Sequence, residues 1–510
     1  MVIIHKIASW YILRRLEKIQ RFSDHPIETQ KRVHQSLMEK GKHTQWGQDH
    51  NYKAFDRLDQ FQEAVPISTY EELFPYIERT LNGEENVLWP GRTTWFAKSS
   101  GTTNDKSKFI PMSEESMDHC HFEAGRDLLA AYFNNREDSR LFSGRVLSLS
   151  GSHDINHQNG KSHYGDLSAV LLENLPFFYS LVRIPSKRVA LMAEWEGKIA
   201  AMAEEIVQTD MTGFAGVPTW AMVLFNHIFD KRGTPQSERN LLDIWPNLEC
   251  FAHGGVNFAP YRPQFEALIP SKRMAYQNCY NASEGFFGFQ DNLEVDDLLL
   301  LLDYGIFYEF IPMDQMNEDH PKTLTLEEVE LDTVYAMVIS TNGGLWRYML
   351  GDTVEFTSLY PFKIRVAGRT KHFINAFGEE LMVGNAEAAL AHACELTGAI
   401  ISDYTAAPVF FDGASQGRHE WLIEFDRPPA NLEEFVYHLD EHLQHLNSDY
   451  EAKRYQGMAL QIPLVHAMPQ GTFYQWMKKR GKLGGQNKVP RLANERKYVE
   501  DILQMVAGKA

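Results

Sequence analysis

The sequence predicts an α/β fold, with a large multi-sheet N-terminal domain followed by a smaller, mobile α+β C-terminal domain. Three observations carry this expectation. At 510 residues the chain is too long for one ordinary core. Hydrophobic residues make up 44% and aromatics 12%, enough for extensive burial and too many for a disordered chain. The patterning changes along the chain: helical to about residue 90, then mixed, then a fresh alternation of strands and helices after Gly368-Arg369-Thr370-Lys371. The expected domains are therefore 1–370 and 371–510.

In order, residues 1 to about 90 read as helices. PISTYEELFPYIER (Pro66–Arg79) is a clear start signal, with Ser68 or Thr69 as cap and Glu71 and Glu72 in the first turn. A second helix over Ser113–Phe133 is capped by Ser113, with Glu114 and Glu115 behind it. RVLSLS (Arg145–Ser150) reads as a strand. Residues 187–230 read as helical, with a strand-to-helix change inside Gly213–Phe229 and Pro218 near a helix start. Strands are expected before Gly254-Gly255 and before Tyr280–Gly285, then at Leu299–Leu302, Ile306–Ile311, Thr333–Ser340 and Lys363–Ala367. Beyond the boundary the pattern gives strand Phe373–Ile374, helix Asn385–Glu395, strands Thr397–Ala407 and Glu420–Phe425, helix Asn431–Ser448 and strand Met458–Val465.

The net charge of −18 and pI near 5.6 argue against non-specific binding to nucleic acid or to anionic membranes. A local basic pocket for an anionic ligand is compatible with them. Cys120, Cys250, Cys279 and Cys394 form no C-x-x-C pair and no metal spacing, as expected of reduced thiols in a cytoplasmic protein. The amphipathic N-terminus, with Ile4, Ile7 and Tyr11 at helical spacing, has no signal-peptide features and is expected to dock on its own core. No apolar run approaches the length of a membrane span, so integral membrane association is not expected.

The chemistry centres on WFAKSSGTTNDKSKFIP, Trp95 to Pro111. Small hydroxyl residues and glycine leave backbone N–H groups free to converge on an anion, and Lys106 and Lys108 supply charge. The same composition also makes an ordinary solvated hairpin, and the spacing is not that of a Walker A loop. Gly254-Gly255 either lets a flat ligand approach the backbone or forms a plain turn. Glu284, after a strand, could hold Mg²⁺ or be a surface acid. His153, His157 and His163 match no metal motif, and their loop is better placed as a lid or substrate-facing segment. The tail before Lys488-Val489-Pro490-Arg491 reads on composition as a flexible charged segment.

Taken together, SSGTT with Lys108 and FIP, then YNASEG, then LWRYMLGD resemble the three nucleotide motifs of adenylate-forming enzymes, the superfamily of acyl-CoA synthetases and luciferases. With VPISTYEELFPYIER and the NKVPR tail, the chain more closely resembles the Gretchen Hagen family of acyl-acid amido synthetases. The resemblance implies the adenylate-forming enzyme fold and a reaction in two halves. ATP and a carboxylic acid give an acyl-adenylate and pyrophosphate, and an amine, typically an amino acid, then displaces AMP to give an amide. It further implies that Ser100, Gly101, Thr102, Thr103 and Lys108 cradle phosphates and that Gly254 and Gly255 wall the adenine. Tyr280 would contact the adenine with Ser283 beside it, Glu284 would bind Mg²⁺, and Asp352 and Arg369 would hold the ribose. Lys488 would reach the α-phosphate from the C-terminal domain.

The chain departs from the family pattern at Asn104-Asp105, at Met349 and at Thr370-Lys371-His372. An acyl-CoA ligase of the same superfamily, or a nucleotide-binding protein without catalysis, are the alternative readings. The expected cofactors are ATP and Mg²⁺, the expected partners a small carboxylic acid and an amine, and the expected state a monomer.

Overall fold

The structure, a computed structural model, describes residues 2–99, 108–149, 155–158, 160–176, 179, 181–192, 195–256, 258, 259, 261–316, 318, 320–369, 373–410, 417–455, 459–480 and 489–508. The N-terminal helices end with Tyr70–Leu81. Of the two candidate caps, Thr69 closes that helix, its N–H donating to Glu72 Oε2 at 2.7 Å. Ser68 instead forms a short bridge to the chain around Tyr348: its N–H donates to Arg347 O at 2.8 Å, and its carbonyl accepts from Met349 N at 2.9 Å. The first helix, Val2–Leu13, does dock on the core, but not through Tyr11. Tyr11 is 57% exposed, while Ile12 packs among Tyr132, Phe133, Leu141 and Phe142.

Ser113 caps the second predicted helix, its Oγ accepting from Ser116 N at 2.9 Å. That helix then widens into a π turn over Met117–Phe122 before resuming as Glu123–Asn135. The widened turn places Cys120 so that its Sγ accepts from Phe286 N at 3.3 Å.

Among the described residues the main sheet has eleven strands. One half is parallel and runs Arg183–Ile184, Arg145–Ser148, Met211–Gly216, Cys250–Gly254, Ala275–Ala282. The other half is antiparallel and continues through Gly285–Phe289, Leu298–Leu300, Phe362–Arg369, Tyr348–Leu359, Val334–Thr341 and Ile306–Pro312. A separate sheet pairs Trp95–Ser99 with Lys108–Met112 on one side and with Ser162–Gly165 on the other.

The smaller C-terminal domain is built on a three-stranded sheet, Ile400–Val409, Arg418–Arg427 and Leu464–Met468. One face (Ala406, Trp421, Ile423) packs on helices Val383–Thr397 and Leu432–Leu446 in a core cluster that also contains Phe251, Phe258 and Tyr261 of the large domain. The opposite face (Ala407, Leu422) lies in a separate cluster with residues of its own domain, among them the helices Thr472–Lys479 and Lys497–Ala507. Three of the strands whose bounds differ from expectation are these. The first starts at Ile400, because the preceding helix runs on to Thr397 before Gly398. The last is Leu464–Met468, not Met458–Val465: Pro463 has no N–H for a ladder, and pairing begins after it. The strand expected at Leu299–Leu302 is Leu298–Leu300.

A buried ion pair ties the helical layer to the antiparallel half. Arg347 (4% exposed) and Glu309 (0%) meet through Nη2–Oε1 at 3.0 Å and Nε–Oε2 at 3.1 Å. Arg347 also donates to the carbonyls of Gln62 and Val65, and to Thr323 Oγ1 at 2.8 Å. Removing one partner leaves a buried charge uncompensated, so Arg347→Met is expected to cost about 3–5 kcal/mol in denaturant unfolding, and the double change with Glu309→Leu less than either single one. A single-variant loss under about 1 kcal/mol would show that the pair is solvated in practice.

Candidate functional site

Four adjacent parallel strands carry their C-terminal ends to one edge of the main sheet, the edge where open α/β sheets bind ligands. Gly254 and Gly255 lie at one of these ends, and Ser283-Glu284 at the next, in the turn between Ala275–Ala282 and Gly285–Phe289. Gly254 is fixed by packing: a Cβ there would lie 2.5 Å from the Cys279 carbonyl oxygen. The glycine pair therefore serves the backbone first, and the bare surface it leaves is what a flat ring could rest on.

Tyr280 and Asp352, distant in sequence, meet directly. The buried Tyr280 hydroxyl donates to Asp352 Oδ2 at 2.6 Å and lies 3.8 Å from Met337 Sδ. Asp352 pairs in register with Arg369 across the strands Tyr348–Leu359 and Phe362–Arg369, so the backbone places the other predicted ribose residue beside it. Glu284, in its turn, is only partly exposed. Burial raises its carboxyl above the ordinary range, Lys108 acts against that rise, and the charges of Asp352 and Glu380 add to it. Lys108, Asp352, Glu380 and Glu284 thus lie within one electrostatic neighbourhood.

Lys108 opens the strand Lys108–Met112, directly opposite Ser99. Its ammonium donates to the Tyr348 hydroxyl at 3.1 Å and sits over the rings of Tyr70 and Tyr348, 5.5 and 5.7 Å from their centroids. Tyr70 also accepts from Phe109 N at 2.8 Å. The expected phosphate residues Ser100, Gly101, Thr102 and Thr103 lie outside the described residues, as do Lys488 and His153. The strands Trp95–Ser99 and Lys108–Met112, on either side of that stretch in sequence, pair antiparallel. His157 and His163 face each other across a hairpin, Nδ1 to Nδ1 at 2.8 Å, and among the described residues no group of three His, Cys, Asp or Glu side chains could hold a metal ion. Their hairpin joins the sheet of Trp95–Ser99.

Two further contacts were not predicted from the sequence. Tyr70 and Tyr348 look like ordinary core aromatics in sequence, yet they hold Lys108. Asn375, in a short turn after the strand Phe373–Ile374, donates through Nδ2 to the Gly255 carbonyl at 3.1 Å. It brings the smaller domain to the glycine pair.

Comparison with known proteins finds the GH3 family over most of the chain: its N-terminal domain at residues 15–274, its central domain at 299–369 and its C-terminal domain at 384–497. An indole-3-acetic acid-amido synthetase of Arabidopsis thaliana, GH3.3, is 22% identical, covering 94% of this chain and 91% of its own. The 4-substituted benzoates-glutamate ligase GH3.12 of Arabidopsis thaliana is 24% identical, covering 89% and 91%. Among solved structures, a GH3.15 acyl acid amido synthetase matches with a TM-score of 0.62 at 16% identity, over 96% of this chain and 95% of its own.

Asp352 is the residue on which this arrangement can be tested most directly. Asp352→Ala is expected to raise the apparent KM for ATP about ten- to a hundred-fold, the worth of hydrogen bonds to a charged group. Steady-state kinetics with an unchanged KM for ATP would remove Asp352 from the nucleotide site.

Proposed function

The chain belongs to the GH3 family, and on that premise we propose that it activates a carboxylic acid with ATP as an acyl-adenylate and transfers the acyl group to an amino acid. It is an AMP-forming ligase of the acyl-acid amido synthetase type. The observation that carries the reading is the convergence of Tyr280 and Asp352 with Glu284 and Lys108. An acid, a cation and hydrogen-bonding groups then face the ligand edge of the sheet.

In the first half-reaction the carboxylate oxygen attacks the α-phosphorus, an O–P bond forms, and pyrophosphate leaves. In the second, the neutral amine attacks the acyl carbon, the C–O bond to AMP breaks, and the nitrogen loses a proton. Lys108 would meet phosphate charge, with Ser100, Gly101, Thr102 and Thr103 as the surrounding donors. Gly254 and Gly255 would flank the adenine. Tyr280, with Ser283 beside it, would contact that ring while its hydroxyl orients Asp352, and Asp352 and Arg369 would hold the ribose.

Glu284 suits a divalent cation. Burial leaves its ionised form short of positive charge, and Mg²⁺ is usually held by one or two carboxylates plus substrate phosphates and water. Bound there, Mg²⁺ would neutralise phosphate charge as it develops. Lys488 would complete the first half-reaction when the smaller domain, from about residue 371 onward, turns toward the phosphates. Among the described residues no helix is long and apolar enough to cross a membrane. A cytoplasmic monomer acting on small molecules fits the acidic surface and the four free cysteines.

Mass spectrometry of products from a matrix of acids against amino acids and coenzyme A tests the assignment. Amides and AMP are expected. Thioesters alone would make the chain a CoA ligase, and no AMP from any pair would make it a binding protein. Glu284→Gln is expected to weaken ATP–pyrophosphate exchange in a magnesium-dependent way; identical magnesium titrations would end the metal role. Lys488→Ala is expected to slow acyl-adenylate formation at least about ten-fold while amide formation from supplied acyl-adenylate survives. Equal loss in both halves would assign Lys488 a different part.

A further inference from the structure

Asp166 stands at the cap position of the helix Leu167–Glu173, where an aspartate ordinarily accepts a hydrogen bond from the first turn. Here it makes no cap bond, and among the described residues its carboxylate has no hydrogen bond and no ion pair. It is nonetheless partly buried. Burial raises its carboxyl to about 7, Asp449 adds to the rise, and Lys453, Lys98 and Lys198 act against it. A desolvated acceptor without a donor is costly, so Asp166 calls for a partner that the described chain does not supply.

The three lysines arrive from three elements. Lys98 follows Ala97, which pairs in register with Gly165, so the strand Trp95–Ser99 brings it alongside Asp166. Lys198, on the helix Trp195–Val207, is fully buried; burial lowers its ammonium to about 7, and Asp166 acts against that fall. Lys453 comes from the smaller domain, on the helix Ser448–Arg454, and is 5% exposed. Its Nζ sits 3.7 Å from the ring centroid of Trp220, on the large-domain helix Pro218–Lys231, and among the described residues no carboxylate pairs with it. Burial lowers its ammonium to about 8, with Asp449, Glu379 and Asp166 acting in the opposite direction.

These groups lie beside the nucleotide site. Val217 comes within 3.6 Å of a Cβ built on Gly255 and within 3.8 Å of one on Gly378, and that Gly378 Cβ would lie 3.4 Å from Lys453 Nζ. Lys453 is thus next to the glycine pair, while Asp166 and Lys98 belong to the sheet that sets Ser99 opposite Lys108. The charge pattern selects a ligand. A plain anion would meet the carboxylates of Asp166 and Asp449, and a metal ion would meet three lysines. A molecule with an ammonium and a carboxylate on one carbon satisfies both signs at once.

We infer that Asp166 and Lys453 form the subsite for the amino acid acceptor, Asp166 receiving its ammonium and Lys453 its carboxylate across the domain boundary. This rests on the two-step reading above. The test uses an L-amino acid that gives an amide in the product matrix, set against its own carboxamide, which keeps the amine and lacks the carboxylate. Amide formation from supplied acyl-adenylate is followed with each. In the wild type the KM for the carboxamide is expected about ten- to a hundred-fold above that for the amino acid, the worth of a hydrogen bond to a charged group. Lys453→Met should raise the KM for the amino acid into the carboxamide's range and leave that for the carboxamide unchanged. Lys453→Arg should keep most of the preference. Asp166→Asn should raise both KM values alike, so that the preference survives.

ATP–pyrophosphate exchange should keep its wild-type rate in all three variants, which also shows that they have folded. A wild type that uses the carboxamide as well as the amino acid overturns the role of Lys453 without recourse to any variant. Equal loss with both acceptors in Lys453→Met, unchanged KM values in Asp166→Asn, or exchange lost together with amide formation overturns the subsite alone. A wild type that makes acyl-adenylate but no amide with any amino acid overturns the two-step reading, and the subsite with it.

Discussion

The hydrogen bond from Tyr280 to Asp352 sets the shape of the site. In the sheet, the strands that carry these residues are separated by three others: Gly285–Phe289, Leu298–Leu300 and Phe362–Arg369. Laid flat, four strand spacings would hold them about 19 Å apart, well beyond the reach of a tyrosine. A contact of 2.6 Å is possible only because the antiparallel half curls on itself. Curling brings the turn with Ser283 and Glu284, which begins three residues after Tyr280, to the same place as Asp352 and its register partner Arg369. Neither segment has the site alone.

The curl has to be held from outside, and the N-terminal helices do that. Arg347 lies one residue before Tyr348 and five before Asp352, and its buried pair with Glu309 fixes that strand to the next but one in the sheet. Its bonds to the Gln62 and Val65 carbonyls fix it to the chain that leads into the capped helix at Thr69. Ser68 bridges the same strand, and Tyr70 reaches Phe109 N. A helical layer with no chemistry of its own thus sets the positions of Lys108 and Asp352.

Much of this was legible in the sequence, and the rest was not for physical reasons. Caps depend on near neighbours, so Ser113 and, with Ser68 as the other candidate, Thr69 could be read directly. The motif residues could be located because type and spacing mark them. Their mutual contacts could not, since the Tyr280–Asp352 bond depends on curvature summed over several strands. Tyr70 and Tyr348 carry the signature of core aromatics, and they are core aromatics; that they also hold a lysine needs the third dimension. The π turn at Met117–Phe122 leaves the apolar pattern of a helix almost unchanged. Asn375 is a lone amide in a turn, with no pattern to betray it. Tyr11 was misplaced because its neighbour Ile12 gains more by burial, which rotates the docked face.

On the proposed reading, an acidic chain that handles a polyanion has to concentrate its cations. Lys108 is held by two tyrosines, its charge partly buried and aimed by their rings. Lys108, Asp352 and Glu380 all act on the Glu284 carboxyl, an excess of negative charge where the proposed reading puts phosphates. With ligand charge added, that arrangement is unfavourable unless more positive charge arrives with the substrate or with the smaller domain. A carboxyl already driven upward by burial gains most from such an arrival. On the proposed reading, this acidic neighbourhood would make nucleotide binding depend on a divalent cation and on domain position together.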